Sequence, residues 1–247
     1  RVAQSVGFEK ISKISKKMGV YEEVPELLSV SLGSNETTLL KLTNAYCSFI
    51  NGGKKVEPIL INRIQDRRGK TIFNSDKRNC EGCKIVDIED DPNFMPKIKD
   101  KYTQVISRET AYQITSMLEG AIQRGTGKKL KNLKVPLAGK TGTTNDNFDA
   151  WFIGSTSDLT IGVYIGYDQP KSLGKFETGA KAALPVFKKF IENAIYKEEM
   201  MNFTAPETIN FFSIDYDTGK NTIFDTPKSI VEGFKEKSVE EIKSKNL

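Results

Sequence analysis

Three consecutive segments in the second half of the chain set the tightest limit on its fold. Lys140-Thr141-Gly142-Thr143-Thr144 opens the set, Phe148 to Thr156 follows, and Leu159 to Tyr167 closes it. In the last segment Leu159, Ile161, Val163 and Ile165 alternate with Thr160, Gly162, Tyr164 and Gly166, the period of an antiparallel strand with two unlike faces. Ser157-Asp158 leaves room for a tight turn between the last two. Leu133 to Leu137, continuing into the Lys140 segment, reads as the first strand. Upstream, Ser107 caps a helix to about Arg124, with Ala111, Ile114, Leu118, Ala121 and Ile122 on one face and Gly125-Thr126-Gly127 as its stop. Downstream, a helix is expected from Gly179 to Lys197, with Ala183, Val186, Phe187, Phe190, Ile191 and Ala194 apolar. Helix, antiparallel strands, helix is an α+β arrangement, an antiparallel sheet covered by helices.

The flanking regions follow the same grammar. Val2, Val6, Ile11, Ile14 and Met18 sit at helical spacing, broken at Gly7 and closed at Gly19. A second helix is expected from Thr37 to Asn51, started by Ser34 and Asn35, stopped by Gly52-Gly53, and burying Leu39, Leu42, Ala45, Tyr46 and Phe49. Ile59 to Ile64 and Thr71 to Phe73 flank Asp66-Arg67-Arg68-Gly69, a hairpin signature. Residues 76–104 are irregular and acidic in part (Asp87, Glu89, Asp90, Asp91), which reads as a surface insertion. The main body therefore spans residues 1–198. Residues 199–247 form a tail with a hairpin around Asp217-Thr218-Gly219 and a charged end, disordered or loosely helical.

Composition removes several function classes. The chain has no histidine, which excludes Ser-His-Asp and Cys-His catalysis and every His-ligated metal site. No metal or cofactor site is expected. A net charge of +5, with Lys and Arg scattered among acids, argues against nucleic acid as a partner. No apolar run reaches membrane-spanning length, and an opening Arg1-Val2-Ala3 without Met looks like a cut through a longer polypeptide. Cys80-Glu81-Gly82-Cys83 is too small for a four-ligand zinc site; a local disulfide and two free surface thiols both remain open. Cys47, in an apolar helical run, reads as a buried small hydrophobe.

The Lys140 segment carries the most chemistry. Lys140 offers a fixed positive charge, Thr141, Thr143 and Thr144 offer hydroxyls, and Gly142 lets a ligand backbone approach. Strand alternation puts Lys140 and Gly142 on one face, Thr141 and Thr143 on the other. An edge strand so equipped suits a ligand with a carboxylate and an amide, such as a peptide. Alone, Lys-Thr-Gly would be an ordinary strand entry with a glycine bulge; its surroundings say more.

Those surroundings are Asp149-Ala150-Trp151-Phe152-Ile153-Gly154 and Gly162-Val163-Tyr164-Ile165-Gly166-Tyr167-Asp168. Upstream stand Ser31-Leu32-Gly33, Thr37-Thr38-Leu39, Asn44-Ala45-Tyr46, Asn51-Gly52-Gly53, Thr110 to Leu118 and Arg124-Gly125-Thr126; downstream comes Glu177-Thr178-Gly179 through Phe187. In this order, over about residues 1–198, they closely resemble the transpeptidase domain of class A (bifunctional) penicillin-binding proteins. The resemblance implies the fold shared by those enzymes and the serine β-lactamases, and a DD-transpeptidase that cross-links peptidoglycan stem peptides through an acyl-serine intermediate. It implies that β-lactams bind the same site. Lys140 would hold the charge and proton network of the site. Thr141 and Thr143 would bind the substrate carboxylate beside Gly142 and Thr144, and the Thr143 N–H would form half of an oxyanion hole. It further implies a domain on the periplasmic face of the bacterial inner membrane, serving the cell wall and cell shape. A membrane anchor and a glycosyltransferase usually precede such a domain, and an oxidising periplasm agrees with a Cys80–Cys83 bridge.

The departure is equally specific. The family's nucleophile motif S-x-x-K and its S-x-N should precede Lys140-Thr141-Gly142. Here S-x-x-K occurs only as Ser172-Leu173-Gly174-Lys175, a loop beside Pro170, and S-x-N only as Ser244-Lys245-Asn246 at the end. The expectation is a domain incomplete at its N-terminus, inactive alone, and aggregating or partly unfolded without its missing N-terminal part. The alternative is a non-catalytic pseudoenzyme or split-gene partner that docks with a separate N-terminal half. A serine β-lactamase shares the Lys-Thr-Gly triplet but not the Trp151 and Glu177-Thr178-Gly179 surroundings.

Overall fold

The computed structural model describes residues 1–78, 80, 81, 97, 98, 102–194, 200–222, 226–236 and 238. It divides into two compact units, Arg1–Lys55 with Gln104–Leu247, and Val56–Thr103. The smaller unit holds two antiparallel pairs, β1 (Arg63–Gln65) with β2 (Thr71–Asn74) and β3 (Cys80–Glu81) with β4 (Lys97–Ile98). Asp66 makes the first turn: its Oδ1 accepts from the N–H of Arg68 and of Lys70, at 2.8 and 3.0 Å. The strand starts at Arg63 and not at Ile59: beyond it the Ser75 N–H still donates to the Asn62 carbonyl at 2.8 Å, while Leu60 is almost wholly exposed. Cys83, and the expected bridge with it, lies outside the described residues, as do most of the 76–104 stretch and nearly all of the charged end.

The larger unit opens with α1 (Val2–Val6) and α2 (Phe8–Lys17), separated at Gly7, whose φ of 89° is costly for any residue with a Cβ. A short 3-10 turn, Leu28–Leu32, leads to α3 (Leu39–Ile50). The cap of α3 is Thr38, whose hydroxyl accepts from the Lys41 N–H at 3.2 Å. Ser34 and Asn35, expected in that role, instead tie the approach loop, to Ser29 and to the Glu23 carbonyl. Ala45 and Ser48 are the fully buried residues of α3, and Cys47 is only half-buried. Helix α4 (Arg108–Gln123) is capped by Ser107, whose hydroxyl accepts from the Thr110 N–H.

A three-stranded antiparallel sheet follows, β5 (Ala138–Thr143), β6 (Ala150–Ser155) and β7 (Thr160–Ile165), in the order β5-β6-β7. Its register sets Gly142 opposite Trp151 and Trp151 opposite Tyr164; Lys140, Ile153 and Gly162 form the next row. Directly opposed residues share a face, so Lys140, Gly142, Trp151 and Tyr164 lie on one side and Thr141, Thr143 and Phe152 on the other. Helix α5 (Ala183–Ala194) covers the Phe152 side. Phe187 and Phe152, both fully buried, meet with ring centroids 4.8 Å apart. Gly154 makes that possible, since a Cβ there would lie 2.6 Å from the Phe187 ring. Helix α3 covers the other face where Gly162 leaves space for Leu39 and Thr43, and α4 runs along β5.

Two boundaries differ from the sequence reading. Leu133 to Leu137 is no strand: Lys128–Leu133 is a 3-10 helix ended by Lys134 at a φ of 56°. Leu130, Leu133 and Leu137 bury together in the sheet's core, a spacing of three and four that suits a coil around one point. Helix α5 begins at Ala183 and not Gly179, because Pro185 lacks an N–H and fits only the first helical turn. The shift rotates the buried face. Leu184 is buried, while Val186 and Phe190, expected inside, are exposed at 51% and 46%.

The tail pairs β8 (Ile209–Asp215) with β9 (Ser229–Lys235). The Asp217-Thr218-Gly219 turn forms as expected, with the Thr218 N–H donating to Asp215 Oδ1. Strand β9 docks on α4. Gln113 Nε2 donates to the Gly233 carbonyl at 3.0 Å, the Ser116 hydroxyl donates to Glu232 Oε2 at 3.2 Å, and Arg124 reaches Glu232 at 3.3 Å. Burial beside Glu232 pushes the Glu119 carboxyl up to about 7.

Replacing Phe187 by Ala should cost about 3–5 kcal/mol in denaturant unfolding, and Val186→Ala should cost under about 0.5 kcal/mol. A second outcome concerns pH. A carboxyl that holds its proton more tightly when folded loses stability as pH rises from about 4.5 through 7. Glu119→Gln should therefore stabilise the fold at pH 8 by on the order of 1 kcal/mol after solvent screening, read as a higher thermal midpoint, and by almost nothing at pH 4.5.

Candidate active site

Strand β5 ends the sheet on one side, and hydrogen-bond alternation decides what it shows there. The Thr144 N–H donates to the Asp149 carbonyl at 3.1 Å, which makes that pair a bonded one. In the antiparallel register Gly142 and Lys140 then bond to Trp151 and Ile153, and the N–H and C=O groups of Thr141 and Thr143 turn outward to the edge. The edge thus offers backbone donors and acceptors at every second residue.

The side chains divide by face. Lys140 is exposed and its Nζ donates to the Thr141 carbonyl at 2.9 Å. Among the described residues it pairs with no carboxylate, so its charge remains available to a ligand. On the same face Trp151 lies under Gly142, where an added Cβ would sit 3.1 Å from the Trp151 Cβ. Trp151 and Tyr164 rings stand 4.8 Å apart, and the Tyr164 phenol donates to Asp149 Oδ1 at 2.8 Å. That bond to a carboxylate raises the phenol's pKa and keeps it protonated.

The three threonines have different employment, Thr141 and Thr143 on the opposite face and Thr144 just beyond the strand. The Thr141 and Thr126 hydroxyls are hydrogen-bonded at 2.8 Å, which fastens the strand to the loop after α4. The Thr143 hydroxyl accepts from the Gly179 N–H at 3.0 Å. The Thr144 hydroxyl accepts from the Asp149 N–H at 2.8 Å and closes the loop between β5 and β6. Of the five residues singled out in the sequence, Thr141 and Thr143 turn backbone groups to the edge, Lys140 adds its side chain there, Gly142 bonds inward to Trp151, and Thr144 anchors the loop that ends the strand. Thr126, Gly179, Asp149 and Tyr164 stand in the family-like segments, but their pairings are not legible there, since nothing in a sequence reports a partner 15 or 36 residues away. Ser172, in the downstream S-x-x-K, donates to the Asp146 carbonyl in a loop, far from a helix start. Among the described residues no group of three or more acidic, cysteine or histidine side chains could hold a metal ion.

The model of the penicillin-binding protein transpeptidase domain matches residues 3–192. The chain belongs to that family. It is 42% identical to penicillin-binding protein 1A of Rickettsia conorii over 247 residues, all of this chain and 31% of that protein. The chain thus spans about a third of the length of the curated relatives it matches. Among solved structures, penicillin-binding protein 1A from Haemophilus influenzae superposes at a TM-score of 0.73 and 26% identity, over 94% of this chain and 37% of that one. Penicillin-binding protein A from M. tuberculosis, solved as an imipenem acyl-enzyme complex, shares the fold at a TM-score of 0.56 and 17% identity, over 78% of this chain and 44% of that one. The α+β architecture is that of the family.

Thr144→Val should lower unfolding stability by about 1 kcal/mol, since it leaves the Asp149 N–H without its hydroxyl partner. Comparing denaturant midpoints of the two proteins checks it.

Proposed function

We propose that this chain supplies the substrate-binding strand of a peptidoglycan DD-transpeptidase that cross-links stem peptides through an acyl-serine intermediate. The observation that carries the reading is the outward edge of β5, with the N–H groups of Thr141 and Thr143 and the Thr143 carbonyl turned outward beside Lys140, which rests on the Thr141 carbonyl and pairs with no carboxylate among the described residues. An extended stem peptide lies along that edge by adding a strand, its amides pairing with those groups. Lys140 attracts its terminal carboxylate and steadies the proton network of the site. Gly142 keeps the approach clear, and Thr141 and Thr143 offer hydroxyls on the other face. As the acyl carbon turns tetrahedral, charge grows on its oxygen, and the Thr143 N–H meets it as half of an oxyanion hole.

The nucleophilic serine, its S-x-x-K lysine and the S-x-N residues come from outside these 247 residues, so this chain alone is inactive. A β-lactam presents the same carboxylate and amide as the stem peptide and occupies the same edge; that a protein of the same fold, penicillin-binding protein A from M. tuberculosis, is solved as an imipenem acyl-enzyme complex supports β-lactam binding. The substrate places the domain in the periplasm. No described helix is long and apolar enough to cross a membrane.

Labelling of the full-length natural polypeptide with a fluorescent penicillin tests the reading. The wild-type protein should acquire covalent label, and Lys140→Ala should slow it by on the order of 100-fold, the scale set by losing one preorganised charge-stabilising group. An unlabelled wild-type protein would instead favour the non-catalytic partner.

A further inference from the structure

The Thr143 hydroxyl is held from behind. The loop Glu177-Thr178-Gly179 folds over the end of β5, and its Gly179 N–H donates to Thr143 Oγ1 at 3.0 Å. That is the hydroxyl's one side-chain bond among the described residues, and the residue itself is exposed. A hydroxyl has one proton to give and two lone pairs to receive. With a lone pair occupied by an amide, the proton faces away from Gly179, toward the open side of the strand. Acceptance also polarises the O–H and makes it a better donor.

The loop can do this only with glycine in place. Gly179 is buried, and a methyl on its Cα would run into the carbonyl oxygens of both Gly142 and Trp151. Those carbonyls belong to the row that joins β5 to β6. The Cα therefore rests directly on the sheet, which sets the height of its N–H above the strand. Five local bonds fix the loop itself: Glu177 N–H to the Gly174 carbonyl, Thr178 N–H to that of Phe176, Lys181 and Ala182 N–H to that of Thr178, and Leu184 N–H to that of Gly179. The last connects the loop to α5, whose Phe187 is anchored in the core.

We propose that Gly179 is a positioning residue: its N–H orients the Thr143 hydroxyl as a proton donor, so that the site prefers a ligand bearing a carboxylate at that point. The inference rests on the transpeptidase reading, in which Thr143 meets the ligand carboxylate, and adds to it the backbone donor that aims the hydroxyl. Thr143 gives a proton to the carboxylate of a stem peptide or β-lactam, and a ligand with that carboxylate masked loses the bond.

The test compares acylation of the full-length protein by benzylpenicillin and by its methyl ester, measured by competition with a fluorescent penicillin. The readout is the ratio of the two rate constants, which a general loosening of the fold would leave unmoved. Gly179→Ala and Thr143→Val should each lower the ratio about 10-fold or more, as expected for losing a hydrogen bond to a charged group. Thr143→Ser should restore it. Because Gly179→Ala adds bulk against the sheet, an ester in place of the Thr178–Gly179 amide removes the N–H without adding an atom, and it should give the same fall. Equal slowing with both probes, or an unchanged ratio in the ester variant, overturns the proposal while leaving the transpeptidase reading intact. A wild-type protein that neither penicillin acylates overturns both.

Discussion

The contact between Phe152 on β6 and Phe187 on α5, made over the bare backbone of Gly154, is the joint on which the rest of the main unit hangs. Both rings are fully buried, and Ile122, Leu130, Leu133 and Leu137 close around them from α4 and the coil that follows. Removing two such rings from water contributes several kcal/mol, more than any polar contact in this structure can supply. It also fixes the distance between α5 and the sheet. The loop that enters α5 is then forced down onto the end of β5, where only glycine fits.

That geometry gives the two faces of the candidate strand different duties. The face with Lys140 and Gly142, covered by α3 at Gly162, is exposed at Lys140, beside an aromatic floor of Trp151 and Tyr164 whose phenol is kept protonated by Asp149. The face with Thr141 and Thr143 is pinned by Thr126 and Gly179. A strand pinned on one side and free on its edge can accept an added peptide without moving, which spares part of the ordering cost of binding. Catalysis by preorganised donors needs the same stiffness, because groups already in place do not reorganise as charge develops.

The tail adds a second layer behind this arrangement. Strand β9 fastens to α4 through Gln113, Ser116 and Arg124, and α4 in turn runs along β5. Burial and the neighbouring Glu232 raise the Glu119 carboxyl at that interface, which makes it responsive to pH.

Much of this was legible in the residues alone. Gly7 and Gly19 bracket the first two helices, Ser107 caps α4, and the alternation from Leu159 to Ile165 states a strand with two faces; each is a local rule that any neighbour obeys. The five-residue run from Lys140, set before its Trp151 strand, carried the family. Where the sequence misled, two periods competed. Leu133 to Leu137 is apolar enough for a strand but buries as a coil, and α5 was drawn one turn too long past a proline that forbids it. The partners of the threonines were out of reach altogether. Three neighbouring hydroxyls look alike in sequence, yet one ties a helix end, one receives a loop amide and one closes a turn. Local chemistry settles what each residue can bond to, but only the packing of distant segments settles which bond it makes.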